Sequence, residues 1–475
     1  MSVCRRIGNF RCLGLVLCLA HVSGAQDNRR PTEVLALIDR ARTLPPEFAA
    51  DVLLRLSASK LMHQTSWKQE LIEEAFASGA HAQLPYRQTV YGLATDSRYN
   101  QEVSHNDLEI LTLQTRAVDA MLSIDPAKAL GLFEQIVPPE IPAARCESPA
   151  TPDVSAYYET AAKLFDRAFT TPRRKREDDM HFLKLRISEM QSPAHVVPAL
   201  KMLFAVQLTP AQRQELMASF AVTLDHLSGS DRLYQSTETL LVPAALPEWH
   251  ETPLFVPALR AYIVRQISGP RCSDSLKLRP DQLPLSAASF NKLASLLDPH
   301  AEQYKAITLD EARAASDDGT YAVQFPWHSA RAKQVLQALQ WLNHGGTGRS
   351  FTPSERSSVE WNAHYLETRK LIEGWREDEE ESPEDYLFLV SETLSTLASL
   401  VPPGPARDNA MGNYRTFLET RYAVTENRNL WFTQVNRMLK AAVHAEDSKE
   451  RAWILSELSR STNPIIALYA KIEAL

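Results

Sequence analysis

The sequence predicts an all-α protein of stacked antiparallel helix hairpins, an α-solenoid-like arrangement. Three observations point there. Glycine is scarce, with 15 in 475 residues against a usual share of about 7%. That disfavours folds needing many left-handed turns, such as β-sandwiches, barrels and Rossmann sheets. Proline is plentiful at 29 and falls mostly between apolar-periodic stretches, where it opens or ends helices. Within those stretches the apolar residues recur at helical spacing. A hydrophobic share of 44% with 23% charged residues allows a large core and excludes global disorder.

The N-terminus reads as a secretory signal. Arg5, Arg6 and Arg11 precede an apolar run from Cys12 to Ala20, and Ser23 and Ala25 supply small residues for cleavage after Ala25. The run is about half the ~20 apolar residues a membrane span needs. Leu17 before Cys18 argues against a lipoprotein signal. The expected location is therefore outside the cytoplasm, periplasmic or extracellular, with no transmembrane helix after signal removal. Loss of residues 1–25 removes three arginines and no acid, so the net charge moves from −7 to −10. An acidic chain offers no electrostatic reason to expect nucleic acid or an anionic membrane as partner.

Three helical blocks follow, at 26–137, 153–268 and 285–475. Linkers at 138–152 and 269–284 separate them, each dense in proline. In the first block Pro31 opens a helix carrying Val34, Leu35, Leu37 and Ile38, and Phe48, Val52, Leu53 and Leu56 share one face of the next. Ser66 is the expected N-cap of a third helix that turns Leu71, Ile72, Ala75 and Phe76 inward. A helix pair spans 107–137, broken at Asp125-Pro126. In the second block Asp153 caps a helix carrying Tyr158, Phe165 and Phe169, and further helices fall near 177–191, 193–207, 210–227, 230–242 and 253–268. The third block reads as helices near 286–299, 308–315, 329–343, 353–377, 384–400, 406–423, 428–445, 448–460 and 464–474, with one extended piece at Thr320–Phe325. The basic run Arg173–Arg176 precedes Glu177-Asp178-Asp179 and reads as a locally neutralised turn before a helix. The acidic run Glu377–Glu381 reads as a solvated loop whose tail caps the next helix.

The stretch 113–142 resembles a tetratricopeptide unit. Leu113, Ala117, Ala129 and Phe133 stand at that family's large and small packing positions, with Asp125-Pro126 at the turn between helices. The sequence departs from the pattern at Arg116 and Ala120, where a large apolar residue and an aromatic are typical, and Pro142 falls one residue late. The resemblance covers about 30 of 475 residues and no second copy follows at the family's spacing. It implies an α-solenoid relative.

After signal removal only Cys146 and Cys272 remain, one in each linker, and an exported chain makes them a natural pair. Their disulfide would close a loop of about 126 residues, worth roughly 4–5 kcal/mol in the chain-entropy model. Phosphate-loop, nucleophile-elbow, dinucleotide and H-E-x-x-H motifs are absent from the sequence, so no catalytic, cofactor-binding or metal-ligating residue is assigned and no cofactor is expected. The dense glycine site His344–Ser350 could expose backbone N–H groups to an anion beside Arg349. The preferred reading is a helix C-terminus and flexible link, since the cluster follows one helix and precedes the next. Trp249-His250 and Trp327-His328 each stand just ahead of a helix, as stacking platforms or as packing staples. Glu248 with Glu251, and Asp317 with Asp318, are the paired carboxylates that a helical-toroid glycosidase would need in its loops.

Stacked hairpins leave a concave face suited to peptides or partner proteins. The expected function is thus a protein-interaction or assembly scaffold in the cell envelope, with Trp249, Trp327, Trp341 and Arg349 as interaction residues. The alternative is a hydrolase or lyase on a helical scaffold acting on an envelope or extracellular polymer.

Overall fold

The computed structural model describes residues 32–90, 106–142, 150–227, 254–269, 271–273, 283–297, 304–312, 317–320, 329–345, 349–352, 354–377, 382–402, 404–443 and 448–475. Those residues form an all-α fold with two short strand pairs. The proline-marked starts hold: proline stands in the first turn of α2 (Pro46–Ala58), α5 (Pro126–Phe133), α9 (Pro193–Ala205), α10 (Pro210–His226), α15 (Pro383–Leu400), α16 (Pro405–Tyr422) and α19 (Pro464–Glu473). There it sacrifices no intrahelical hydrogen bond. Side-chain caps complete several of these starts. Asp125 accepts from the Lys128 N–H, Ser382 from Asp385, and Thr209 forms a capping box with Gln212.

Helix α1 (Thr32–Ala41) and α2 form the first hairpin, and α3 (Thr65–Gly79) packs on α2. The third helix starts at Thr65, with Gln64 rather than Ser66 in the cap position. Gly79 ends it where α4 (Ile110–Leu122) crosses: a Cβ there would stand 2.9 Å from Leu113 Cβ, so the approach requires glycine. The α4–α5 hairpin is the stretch singled out by its packing positions, and Leu113, Ala117, Ala129 and Phe133 are all fully buried.

In the middle of the chain α6 (Ser155–Arg167) contacts α4, α8 (Asp178–Ser188) and α9, and α10 contacts α8 and α11 (Phe255–Ile267). Asp153 Oδ1 accepts from the Ser155 N–H at 2.9 Å, but Val154 rather than Asp153 stands in the cap position of α6. The basic run lies in and just after the short α7 (Thr171–Lys175). Arg173 and Arg176 pair with Asp178, and Arg174 pairs with Asp179 while donating to the Phe165 carbonyl at the end of α6. The run is neutralised locally, as its neighbours implied.

Four segments differ from the sequence reading. Residues 309–312 form a turn instead of a helix, with the Thr308 N–H and hydroxyl donating to Glu311. The stretch read as one helix over 353–377 is a short 3₁₀ turn followed by α14 (Val359–Glu373). Asp317–Gly319, read as a turn, belong to β4 (Asp317–Thr320), and residues 321–325 of the expected extended piece lie outside the described residues. Both proline-rich linkers contribute strands: β2 (Ala150–Asp153) pairs antiparallel with β1 (Arg87–Val90), and β3 (Arg271–Ser273) pairs parallel with β4. Pairing across such distances leaves no local period to read. The helix read at 230–242 lies outside the described residues.

Helix α12 (Leu285–Leu297) follows α11. Then α13 (Ala330–His344), α14, α15 and α16 lead to α17 (Arg428–Val443), α18 (Ser448–Ser459) and α19. The last helices return to the first: α19 packs on α1 and α2, and Phe48 of α2 meets Trp431, Phe432 and Tyr469 with ring centroids 5.0–6.5 Å apart. The two regions nearest the ends of the sequence are thus neighbours in one apolar core running from Val34 to Ala470.

Candidate functional site

Between α1, α18 and α19 the surface opens into a groove of about 760 Å³. Its walls follow from three helix faces. Helix α1 buries Val34, Leu37, Ile38 and Ala41, and so turns Glu33, Ala36 and Arg40 outward at one-face spacing. Helix α18 offers Ala452, Ser456 and Ser459, and α19 offers Ala470 and Ala474. Such short side chains leave the space between helix backbones unfilled, and Leu37 and Leu455 floor it.

The rim is charged. Arg40 and Lys471 have no ion-pair partner among the described residues, and Arg451 donates only to the Glu473 backbone carbonyl, at 3.2 Å. Of the two lining acidic side chains, Glu473 is occupied by Arg55 at 2.5 Å; Glu33 has no such partner among the described residues. The groove therefore carries an excess of free cationic groups around an apolar floor.

Behind it lies a buried ionic cluster that joins the two ends. Asp51 of α2 is 1% exposed. Its carboxylate accepts from Arg55 Nε at 2.8 Å and the Tyr469 hydroxyl at 2.7 Å, and pairs with Arg116 of α4 at 2.7 Å. Burial pushes the Asp51 carboxyl up, but Arg116, Arg55 and Tyr469 outweigh it and hold it below the ordinary carboxylate range. Burial, with Asp51 beside it, pushes the Tyr469 hydroxyl well above its ordinary range. Glu47, one turn earlier, is also buried. Desolvation raises its pKa, with Arg428 at 3.9 Å only partly offsetting this. Next to this cluster Asn106 donates to Asn429 and Thr433 and accepts from Asn436, fastening the α4 approach to α17.

A second polar network sits in the middle of the chain. Tyr158 OH lies 3.0 Å from His195 Nδ1, and both residues are fully buried. Burial alone lowers the His195 pKa to about 4. Beside it Tyr157 donates to Glu189 and accepts from Arg186, whose guanidinium also lies over the Phe133 and Phe182 rings.

The residues singled out from the sequence fall elsewhere. Trp341, half-buried on α13, packs 3.6 Å from the His364 ring and 5.7 Å from Phe351. Gly345 ends α13 at φ +54 and donates to Trp341 O, the helix-ending role. Arg349 is bound on both nitrogens by Glu355, at 2.5 and 3.0 Å, and this ion pair brings the Glu355 carboxyl to about 2. A guanidinium so held is a poor anion trap. Trp249, Trp327 and Cys146 lie outside the described residues; Cys272 stands in β3. Among the described residues no group of three or more His, Cys, Asp and Glu side chains could hold a metal ion.

One signal for the ionic cluster was present in the sequence. Arg116 occupies a position where the tetratricopeptide pattern has an apolar residue, and it is the residue that reaches Asp51. The groove had no such signal, since its three walls come from opposite ends of the chain. No family model, curated protein or solved structure matches this chain.

Proposed function

We propose that the chain is an exported scaffold that binds a protein or peptide segment in the groove between α1, α18 and α19. The observation that carries this is the groove itself: about 760 Å³ of open space with an apolar floor, small-residue walls and a charged rim. Such a surface takes up a segment's apolar side chains and orients them by charge. Export is supported by Arg5, Arg6, Arg11 and the apolar run that ends before Ala25. Export would in turn make Cys146 and Cys272 a natural disulfide pair. No helix among the described residues is long and apolar enough to cross a membrane.

A photo-crosslinking residue at Ser456, inside the groove, tests the reading against the same residue at the exposed Lys201 on α9. Reproducible adducts to a partner in the intact envelope fraction are expected at Ser456 alone. Identical patterns at both positions, or none at Ser456, would refute it.

A further inference from the structure

Resting on that reading, we infer that the groove's ligand is an acidic amphipathic helical segment of a partner protein. The dimensions set the length. The α18 wall runs from Ser448 to Ser459, eleven steps, or about 16 Å at ~1.5 Å per residue. That accommodates two to three turns of a second helix. Alanines and serines at Ala36, Ala452, Ser456, Ser459, Ala470 and Ala474 permit the close backbone approach that large side chains prevent.

The charge sets the sign. Arg40 and Lys471 are without ion-pair partners among the described residues, and Arg451 faces the groove with a single hydrogen bond to a backbone carbonyl. Glu473 is already neutralised by Arg55, which leaves Glu33 as the lining acidic side chain without an ion pair among the described residues. A segment with apolar residues at i, i+3 or i+4, and i+7 would fill the floor. Asp or Glu on its flanks would meet the three cations.

The mature full chain, immobilised, is panned against a displayed library of helical segments about fourteen residues long. It is compared with Ala452→Trp, which fills the groove from an exposed position, and with Arg40→Glu/Lys471→Glu, which inverts the rim without breaking an ion pair. Thermal melts verify that both variants fold. The expected winners are amphipathic and acidic. They lose binding to Ala452→Trp, weaken about ten-fold or more against the double variant, and weaken as salt rises. Winners that depend on Ala452 but are basic or uncharged would overturn the acidic preference and leave the scaffold reading standing. Winners indifferent to Ala452→Trp, or no enrichment, would overturn both. Sedimentation runs in parallel: concentration-dependent dimerisation abolished by Ala452→Trp would assign the groove to a second copy of the chain and overturn the inference.

Discussion

Asp51 and His195 are both ionisable groups sealed in helix walls, 1% and 0% exposed, and the molecule treats them in opposite ways. Asp51 keeps its charge because two arginines and a tyrosine hydroxyl converge on it. One of these partners, Tyr469, lies 418 residues away in the sequence. His195 gives up its charge because burial offers it only the neutral Tyr158 hydroxyl. The pairing at Asp51 ties α2, α4 and α19 together at the back of the groove. The network at His195 stays within neighbouring helices of the middle block. A buried charge survives where opposite charges and a hydroxyl converge on it; where the surroundings bring only hydroxyls and rings, neutrality is cheaper.

The sharpest way to break the comparison is Asp51→Ala. It leaves Arg55, Arg116 and Tyr469 facing an empty site, and removing one partner of a buried pair costs about 3–5 kcal/mol. The lower end is expected here, because both arginine side chains are 33% exposed. Denaturant unfolding measures the loss, and hydrogen exchange should show α19 losing protection before the middle helices. Exchange rising equally throughout the described helices would show that the cluster does not specifically fasten the two ends.

Acid separates the two groups by window. The His195 pKa falls from an ordinary 6.5 to about 4 on folding, so its contribution is complete above the ordinary value and lost as pH falls toward 4. The total is on the order of 3 kcal/mol. Asp51 is depressed instead, so its contribution holds above the ordinary carboxylate value of about 3.9 and fades only below it. Stability measured from pH 7 down to 4 should slope, and His195→Gln, which can still bond Tyr158, should flatten that slope. An unchanged slope in the variant would assign the titration elsewhere.

Two smaller effects bracket these. Gly79→Val forces a Cβ to within 2.9 Å of Leu113 Cβ, and overpacking of this kind costs about 1–3 kcal/mol. A shift in melting temperature reads it directly. It also tells whether apolar contact between α3 and α4 supports the ionic closure. Arg349→Ala removes an exposed pair with Glu355 and should leave the melting temperature unchanged, a control outside both networks.

Much of the fold was legible. The helical spacing of Phe48, Val52 and Leu56, and of Leu113 and Ala117, names side chains that are fully buried. Prolines marked helix starts because a first-turn residue needs no N–H partner. The local neutralisation of Arg173–Arg176 was visible because its acids follow within the next turn. The cap of the third helix was missed by two positions, since Ser66 is only one of several polar residues at that start. The groove was hidden for a different reason: Arg40, Arg451 and Lys471 look like ordinary solvated charges until α1 is laid beside α18 and α19.

The sequence by itself determined that this chain is helical and where most helices begin, because period and capping are properties of adjacent residues. Only the tertiary structure decided that α2 meets α19, that Asp51 remains charged, and that three unremarkable helix faces enclose a groove. Those outcomes depend on which distant surfaces pack together, and a hydrophobic face specifies that it must be buried without specifying against what.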